Sequence, residues 1–307
     1  MQKKILVTGG SGLLGSNLSK VISDIFDVHV IAHRHSIPCG NFQVHQLDIT
    51  NREILINLVN NIKPDYIIHT AALTNVDYCE VNKEEAWQIN VEATRNFVKA
   101  ASITNSKLIY ISTDSVFDGK TGMYTEVDEV NPLNYYAFTK LEGEKVVRTL
   151  SNSFVIIRTN IYGWNTQRKL SLAEWMLNSL TQKNKTQLFS DVFFTPILVN
   201  NLSQVISEII TKEISGLFNI AGSERVSKLE FGYELAKVFS LDSKLIEPTK
   251  VSEKKFVAKR PLDTSLCCKK ISKEVATELL TMRDGLEAFK ALLDKGYVEH
   301  LKRCLAI

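Results

Sequence analysis

Residues 7–18, VTGGSGLLGSNL, follow a short apolar run and open a segment with helical spacing. They place Gly9, Gly12 and Gly15 where a strand would pass into a helix. Glycines at such a junction allow a tight turn and let a pyrophosphate approach the N–H groups of the helix N-terminus, where the helix dipole also favours anions. Glycine spacing alone is a weak signal, but here the flanking strand and helix patterns agree with it. We therefore predict that this turn binds a dinucleotide, in preference to being a β-to-α turn without a ligand.

The alternation of strand and helix continues along the chain. Five β-branched runs, KKILVTG, DVHVIAH, PDYIIHTA, KLIYIST and FVIIRTN, are separated by amphipathic stretches. This alternation is typical of βαβ units on a parallel sheet that is covered on both faces. We predict an α/β fold with a Rossmann-type, doubly wound parallel sheet in residues 1–165, to which the chain returns around residues 197–222. Residues 166–307 are predicted to form mainly a smaller, C-terminal substrate-binding lobe.

Composition excludes several classes of protein. The chain has 307 residues, 44% of them hydrophobic, with 37 basic and 34 acidic residues and a net charge of +3. This balance creates no broad cationic field, so neither nucleic acid nor an anionic membrane is expected as a partner. No apolar run approaches the roughly 18 residues of a membrane span. We expect a cytoplasmic enzyme.

Cysteine and histidine usage agrees with that expectation. The cysteines are odd in number and lack CxxC spacing, which argues against a disulfide framework and against a zinc site. The six histidines show no paired metal-ligand spacing, so we predict no metal. The cysteines are Cys39, Cys79, Cys267, Cys268 and Cys304.

The end of the second predicted strand distinguishes NADP from NAD. NAD sites usually have an acidic residue there, but this strand ends in IAHRHS, with His33, Arg34 and His35. A guanidinium can pair bidentately with a ribose 2′-phosphate, so we predict NADP(H) and leave NAD(H) open. The alternative is that this loop is only a solvated basic surface. Asp48 follows the next extended segment, and we expect it either to meet the adenine amino group or to cap a helix.

Residues 131–145, NPLNYYAFTKLEGEK, carry two adjacent tyrosines in front of a predicted helix. Tyr136 and Lys140 are four positions apart and share a helix face, whereas Tyr135 and Lys140 diverge. A nearby ammonium stabilises phenolate and so lowers a tyrosine pKa from about 10, which favours proton transfer near neutrality. We therefore predict that Tyr136 is the acid. An isolated Tyr/Lys pair more often lies on the protein surface without a catalytic role, so the prediction depends on the surrounding sequence.

That context is supplied upstream. LIYISTDSVFDG ends a predicted strand with Ser112, Thr113 and Asp114 at the carboxyl edge, where open α/β sheets bind ligands. With the glycine turn, this hydroxyl and YxxxK in that order, the sequence resembles the extended short-chain dehydrogenase/reductase family over nearly its whole length. HTAALTNVDYCE, STDSVFDG, YAFTK and KRPLDTS resemble in particular its dTDP-4-dehydrorhamnose reductase branch, which reduces 4-keto-6-deoxy sugar nucleotides.

The resemblance implies a role for each matching residue. Thr113 would hold the substrate carbonyl oxygen, Tyr136 would donate a proton to it, and Lys140 would grip the nicotinamide ribose and tune Tyr136. Asn90 would stand behind the lysine, although satisfying a helix kink is an equal alternative. Hydride would come from NADPH. The residues expected to bind the cofactor are Gly9, Ser11, Gly12, Leu13, Leu14, Gly15, His33, Arg34, Asp48, Ile49, Ala71, Ala72, Thr74, Tyr136 and Lys140.

The resemblance also implies a pocket for a nucleotide-sugar substrate. A guanidinium in KRPLDTS suits a diphosphate by charge and geometry, although an arginine in a basic stretch can also be merely solvated. The sugar end would be lined by Val76, Asp77, Asp114, Ser115, Val116 and Phe117. The nucleotide end would be lined by Thr195, Pro196 and Arg260.

Two positions depart from the family pattern. Members that dimerise around magnesium have a glutamate where this chain has Asn17, so the sequence leaves metal-linked dimerisation open, as it does the choice between monomer and homodimer. RTNIYGWN is shorter than the family's tryptophan-bearing version, which leaves open whether Trp164 reaches the sugar.

Taken together, these residues predict an NADPH-dependent reductase of a nucleotide-linked 4-keto-6-deoxy sugar, in precursor synthesis for surface polysaccharide. The main alternative is a non-catalytic, NADP-binding regulatory subunit that resembles the β subunit of methionine adenosyltransferase and retains the Tyr/Lys pair. A third is a sugar-nucleotide epimerase or dehydratase with tightly held NAD. It is disfavoured by the basic end of the second strand and by Thr113-Asp114 in place of an Asp/Glu pair.

Overall fold

The computed structural model describes residues 2–35, 37, 41–150, 153–167 and 169–303, without the side chains of residues 302 and 303. Cys39 and Cys304 lie outside the described residues, and Cys79, Cys267 and Cys268 are free thiols. The strands are β1 (Lys4–Val7), β2 (Asp27–Ala32), β3 (Phe42–Gln46), β4 (Tyr66–His69), β5 (Lys107–Ile111), β6 (Phe154–Arg158), β7 (Ile161–Tyr162), β8 (Thr186–Phe189), β9 (Phe193–Phe194), β10 (Ile197–Leu198), β11 (Gly216–Asn219), β12 (Val226–Ser227) and β13 (Ile246–Thr249). The helices are α1 (Leu13–Ile22), α2 (Arg52–Ile62), α3 (Val76–Val81), α4 (Lys83–Trp87), α5 (Ala93–Thr104), α6 (Tyr135–Val147), α7 (Leu172–Thr181), α8 (Val199–Thr211), α9 (Lys228–Val238), α10 (Met282–Asp294) and α11 (Tyr297–Arg303).

Seven strands form one parallel sheet in the order β11-β6-β5-β4-β1-β2-β3. The five strands predicted from apolar runs are all in it, which confirms the Rossmann-type α/β fold. Strands β4 and β5 lie in the middle, and their apolar side chains are buried because helices cover both faces. The edge strand β3 is mostly exposed, which explains its more polar sequence FQVHQ.

Helices form a layer on each face of the sheet. On one face, α1 and α8 pack through residues such as Leu18 and Val205. On the other face, α2 and α5 pack through residues such as Val59 and Phe97. Helix α8 and strand β11 both fall within residues 197–222, where the chain joins the sheet again.

A separate apolar cluster holds the C-terminal elements together. Helices α7, α9 and α10 contribute Met176, Phe231 and Phe289, which are fully buried. This cluster agrees with a second lobe, while the boundary at residue 165 stays a prediction. No helix in the described part of the chain is long and apolar enough to cross a bilayer.

The two departures from the family pattern lie in the interior. The Asn17 amide donates to the Trp164 carbonyl at 2.9 Å, and its oxygen accepts from the Tyr297 hydroxyl at 2.8 Å. Trp164 stacks on Phe289, with ring centroids 4.0 Å apart, and donates to its carbonyl. Trp164 is therefore a core residue that packs against α10. Among the described residues, no group of three or more His, Cys, Asp or Glu side chains could hold a metal ion.

Candidate active site

A cleft of about 1530 Å³ lies at the carboxyl edge of the sheet, where loops following β1, β2, β4, β5 and β6 meet. Ligands of open α/β sheets bind at this edge because helix N-termini and loops converge there. Two residues predicted to bind the substrate, Asp114 and Ser115, line this cleft. So do most residues predicted to bind the cofactor or catalyse the reaction: Gly9, Ser11, Gly12, Leu13, Leu14, Gly15, His33, Arg34, Asp48, Ile49, Ala71, Ala72, Thr74, Thr113, Tyr136 and Lys140.

The glycine turn is shaped for a pyrophosphate. Gly9 has a φ of +64°, which a side chain would strain. A Cβ at Gly15 would lie 2.2 Å from the Gly9 carbonyl oxygen, so the first turn of α1 can pack against this loop only without a side chain. The first N–H groups of a helix have no intrahelical acceptor, so those of Leu13 and Leu14 are available to an anion. The turn therefore fits a dinucleotide phosphate.

The basic end of β2 fits a 2′-phosphate. The side chains of His33 and Arg34 are exposed at the cleft, and His33 Nε2 lies 3.6 Å from an Asp48 carboxylate oxygen. Asp48 accepts hydrogen bonds from the Thr50 N–H and hydroxyl at 2.9 and 2.7 Å, while Asn51 caps helix α2. Asp48 thus closes the turn before the helix instead of capping it. The charges of His33 and Arg34 both act to lower the pKa of Asp48, so the three side chains are close neighbours at this end of the cleft.

The side chains of the two adjacent tyrosines, Tyr135 and Tyr136, have different surroundings because helix α6 directs them to different sides. Asn134 caps this helix by accepting from the Ala137 N–H at 2.9 Å. Tyr136 lines the cleft together with Thr113, which follows β5 and whose hydroxyl donates to the Asp114 carboxylate at 3.1 Å. Tyr135 packs beside Phe138, and the Lys83 ammonium lies over its ring, 5.3 Å from the centroid. Only Tyr136 is therefore placed for chemistry in the cleft.

Burial controls the protonation of this pair. It raises the pKa of Tyr136, an effect that the neighbouring Thr113 hydroxyl partly opposes. Burial also lowers the pKa of Lys140 to about 7, against the influence of the Glu144 carboxylate. The predicted lowering of the Tyr136 pKa by Lys140 was therefore wrong in direction. The reason is that the Lys140 ammonium lies over the Tyr110 ring, 4.1 Å from its centroid, while the Tyr136 phenol is desolvated.

Asn90 lies in a π-helical turn, Gln88–Glu92, between α4 and α5. Its buried amide accepts from the Leu73 N–H at 2.8 Å and donates to the Leu73 carbonyl and to the Thr139 hydroxyl. These bonds join the loop after β4, which carries Ala71, Ala72 and Thr74, to the helix of Tyr136 and Lys140. Asn90 thus belongs to the π-helical irregularity and anchors the loop after β4. Among the described residues, no hydrogen bond joins Asn90 to Lys140.

Several residues predicted to line the substrate pocket lie beneath the cleft. Val116 and Phe117 are fully buried, and Phe117 stacks on Tyr124 with ring centroids 4.2 Å apart. Thr195, which precedes Pro196, is also buried, and its hydroxyl accepts from the Leu266 N–H. These three side chains are therefore packed in the core, and their contact with a substrate stays a prediction.

The remaining substrate residues form a contact between two segments. Asp77, next to Val76 at the start of α3, pairs with Arg260 at 2.8 Å and accepts from the Ala258 N–H at 3.0 Å. The charge of Arg260 is therefore partly neutralised by a carboxylate. The role of Arg260 in holding a diphosphate stays a prediction.

The polar residues of the cleft that had not been predicted include Asn160, Gln167 and Lys169. Asn160, after β6, donates to the Asp114 carboxylate at 2.7 Å. Gln167 donates to the Ser11 carbonyl at 2.8 Å, and the Lys169 ammonium donates to the Thr74 hydroxyl at 2.8 Å. The polar end of the strand-like run FVIIRTN could have indicated Asn160. Gln167 and Lys169 lie in a loop without a recognisable pattern.

The glycine turn, Arg34 at the end of β2, and the set of Thr113, Tyr136 and Lys140 at the carboxyl edge of a Rossmann sheet define an NADP-dependent oxidoreductase of the extended short-chain dehydrogenase/reductase class. The chain belongs to the RmlD substrate binding domain family, whose model matches residues 3–294.

Known relatives span almost the whole chain. A probable low-salt glycan biosynthesis reductase, Agl14, of Haloferax volcanii is 31% identical and covers 93% of this chain and 96% of its own length. A dTDP-4-dehydrorhamnose reductase of Aggregatibacter actinomycetemcomitans is 29% identical and covers 94% and 98%. The β subunit of methionine adenosyltransferase 2 of Mus musculus is 29% identical and covers 96% and 90%.

Solved structures agree with this membership. A hypothetical dTDP-4-dehydrorhamnose reductase from Sulfolobus tokodaii is 34% identical, with a TM-score of 0.83, and the match covers 92% of this chain and 98% of that one. The dTDP-4-dehydrorhamnose reductase of Bacillus anthracis, solved in complex with NADP, is 26% identical, with a TM-score of 0.85 and coverage of 95% and 99%.

Proposed function

We propose that this chain uses NADPH to reduce the C4 keto group of a nucleotide-linked 4-keto-6-deoxy sugar, in the synthesis of a deoxysugar precursor for surface polysaccharide. The observation that carries the proposal is that Thr113, Tyr136 and Lys140 line one cleft at the carboxyl edge of the sheet. The reductases named among the relatives support the class of substrate.

Thr113 and Tyr136 hold the carbonyl oxygen of the substrate between their hydroxyl groups. NADPH, when bound, supplies the hydride. Because burial raises the pKa of Tyr136, this residue keeps its proton at neutral pH and can donate it to the oxygen as negative charge develops there. A donor that stays protonated suits reduction of a ketone better than oxidation of an alcohol.

Other residues of the cleft bind the cofactor and the sugar. Lys140 grips the nicotinamide ribose from the floor of the cleft, and Asn90 holds the loop opposite it. Asp114 and Ser115 line the side of the cleft next to Thr113 and contact the sugar. We assign cofactor binding to residues 1–165 together with residues 197–222, and substrate binding mainly to the rest of residues 166–307.

Loss of NADPH absorbance tests the proposal. Wild type is assayed with a panel of dTDP-, GDP- and UDP-linked 4-keto-6-deoxy sugars, beside Tyr136→Phe and Tyr135→Phe. General acid catalysis contributes roughly a hundred- to ten-thousand-fold, so Tyr136→Phe is expected to lose turnover by about that factor while retaining its NADPH affinity. Tyr135→Phe, whose ring lies outside the cleft, serves as the matched control and is expected to retain turnover.

The relative that is a methionine adenosyltransferase β subunit makes a regulatory role the second candidate. Under that role, the chain would bind NADPH tightly, turn over none of the sugars and form a stable complex with a methionine adenosyltransferase catalytic subunit. Turnover of one sugar that collapses in Tyr136→Phe would exclude it. Copurified oxidised NAD would instead favour an epimerase or dehydratase.

A further inference from the structure

A buried carboxylate lies one turn beyond Lys140 on α6. Glu144 accepts from the Ser112 hydroxyl at 2.6 Å and from Arg158 Nε and Nη2 at 2.9 and 2.8 Å. Both members of this ion pair are almost completely buried. Three short hydrogen bonds fix the Glu144 carboxylate in the interior, so it cannot turn towards water and its charge acts on the groups around it.

An aromatic ring supports the ammonium of Lys140 from below. Tyr110, in the middle strand β5, is fully buried, and the Lys140 Nζ atom lies 4.1 Å from its ring centroid. A cation is attracted to the face of an aromatic ring, most strongly where both are removed from water. The absence of a side chain at Gly143 makes this possible, since a Cβ there would lie 2.2 Å from the Tyr110 hydroxyl oxygen.

Glu144 and Lys140 lie four positions apart on α6, so they share one face of the helix, and the Glu144 carboxylate is also paired with Arg158. Burial lowers the pKa of Lys140 to about 7, and Glu144 opposes that change. His69 is neutral, because burial lowers its pKa to about 3. The charged and titratable groups that surround Lys140 are His69 from β4, Tyr110 from β5, Tyr136 and Glu144 from α6, and Arg158 from β6.

We infer that Glu144 and Tyr110 are positioning residues that hold Lys140 as an ammonium at the floor of the cofactor cleft. Neither residue is among those that line the cleft in the described part of the chain, so both act through Lys140. Glu144 supplies the negative charge, and Tyr110 supplies the surface on which the ammonium rests. The inference deepens the proposed function and rests on it for the contact between Lys140 and the nicotinamide ribose.

Glu144→Gln tests the charge, because glutamine can still accept from Ser112 and Arg158. The dissociation constant of NADPH is measured by its fluorescence between pH 5.5 and 9. In wild type, affinity is expected to fall as pH rises through about 7, where Lys140 loses its proton. Removing a neighbouring opposite charge lowers an ammonium pKa, so the fall is expected about one pH unit lower in Glu144→Gln.

Glu142→Gln is the matched control on the same helix. Its carboxylate pairs with Lys145 at 2.6 Å on the surface and lies outside the cleft, so this variant is expected to keep the wild-type profile. A folded Glu144→Gln protein with the wild-type pH profile would overturn the role of Glu144. The measurement needs no sugar, so failure of the reductase assay and failure of this inference are separate outcomes.

Tyr110 is tested by comparing two apolar replacements, which also covers the case in which Glu144→Gln does not fold. Tyr110→Phe keeps the ring face, so near-wild-type NADPH affinity is expected. Tyr110→Leu removes the ring face, and we expect affinity to fall about fivefold or more at pH 6, the order of an exposed to partly buried cation–π contact. Equal affinities of the two folded variants would overturn the role of the ring.

Discussion

At the scale of single residues, Arg34 is expected to decide between NADPH and NADH. Charge-assisted hydrogen bonds contribute about 1.5–3 kcal/mol, so Arg34→Ala should weaken NADPH binding by roughly ten- to a hundredfold. NADH has no 2′-phosphate, so its affinity should change little. Titration of both cofactors, with Arg52→Ala outside the cleft as a control, measures the difference. Equal losses for NADPH and NADH would contradict this role of Arg34.

The sequence predicted single residues well where a local pattern determines their position. Thr113, Tyr136 and Lys140 follow from a strand end and from helical spacing, and all three line one cleft. Arg260 could not be predicted in this way, because its partner Asp77 is 183 positions away. The direction of the Tyr136 pKa shift was also predicted wrongly, because it depends on desolvation by residues that sequence spacing does not reveal.

At the scale of elements, continuous apolar runs identified the five central strands because both faces of those strands are covered. The edge strand β3 gave a weaker signal, since it is largely exposed and alternates in polarity. The loop between β7 and α7 gave none, although its Gln167 and Lys169 bond to Ser11 and Thr74. Loops are positioned by their contacts, so their contribution to a site appears only in the folded chain.

A glycine in α10 provides a test of packing between elements. Gly285 faces Tyr162 of β7, and a Cβ there would lie 2.4 Å from the phenol oxygen but 3.7 Å from the nearest ring carbon. In a free helix, Gly→Ala would stabilise by up to about 1 kcal/mol. Here the clash should dominate, so Gly285→Ala is expected to lower the free energy of unfolding by about 1–3 kcal/mol.

Tyr162→Phe supplies the control, because it removes the oxygen that the new methyl group would meet. In that background, Gly285→Ala is expected to be neutral or stabilising. Urea unfolding of the wild type, both single variants and the double variant completes a double-mutant cycle. Additive effects of the two substitutions would contradict a direct contact between these side chains.

At the scale of the whole molecule, the C-terminal helices are joined to the sheet layer by interior bonds. Asn17 of α1 contacts both Trp164 and Tyr297, so one buried amide connects three distant parts of the chain. The sequence predicted a second lobe from its change of pattern, but not this contact. The Asn17 amide uses its nitrogen for one of these contacts and its oxygen for the other.

The stability of the whole chain should fall in mild acid because of a buried histidine. His69 is almost completely buried between the hydroxyls of Thr8 and Thr94, and burial lowers its pKa to about 3. An unfolded histidine takes up a proton near pH 6.5, so below that pH the unfolded chain binds more protons than the folded one. The free energy of unfolding therefore falls as the pH drops through this window, by about 2 kcal/mol between pH 6.5 and 5 from His69.

Urea unfolding at pH 7, 6 and 5 measures this loss in wild type and in His69→Gln. Glutamine can bond one of the neighbouring hydroxyls but does not titrate, so the variant should have a shallower dependence on pH even if it is less stable at pH 7. Some dependence should persist, because burial also lowers the pKa of His29 and of His45. Equal slopes in the two proteins would show that protonation of His69 does not limit stability in acid.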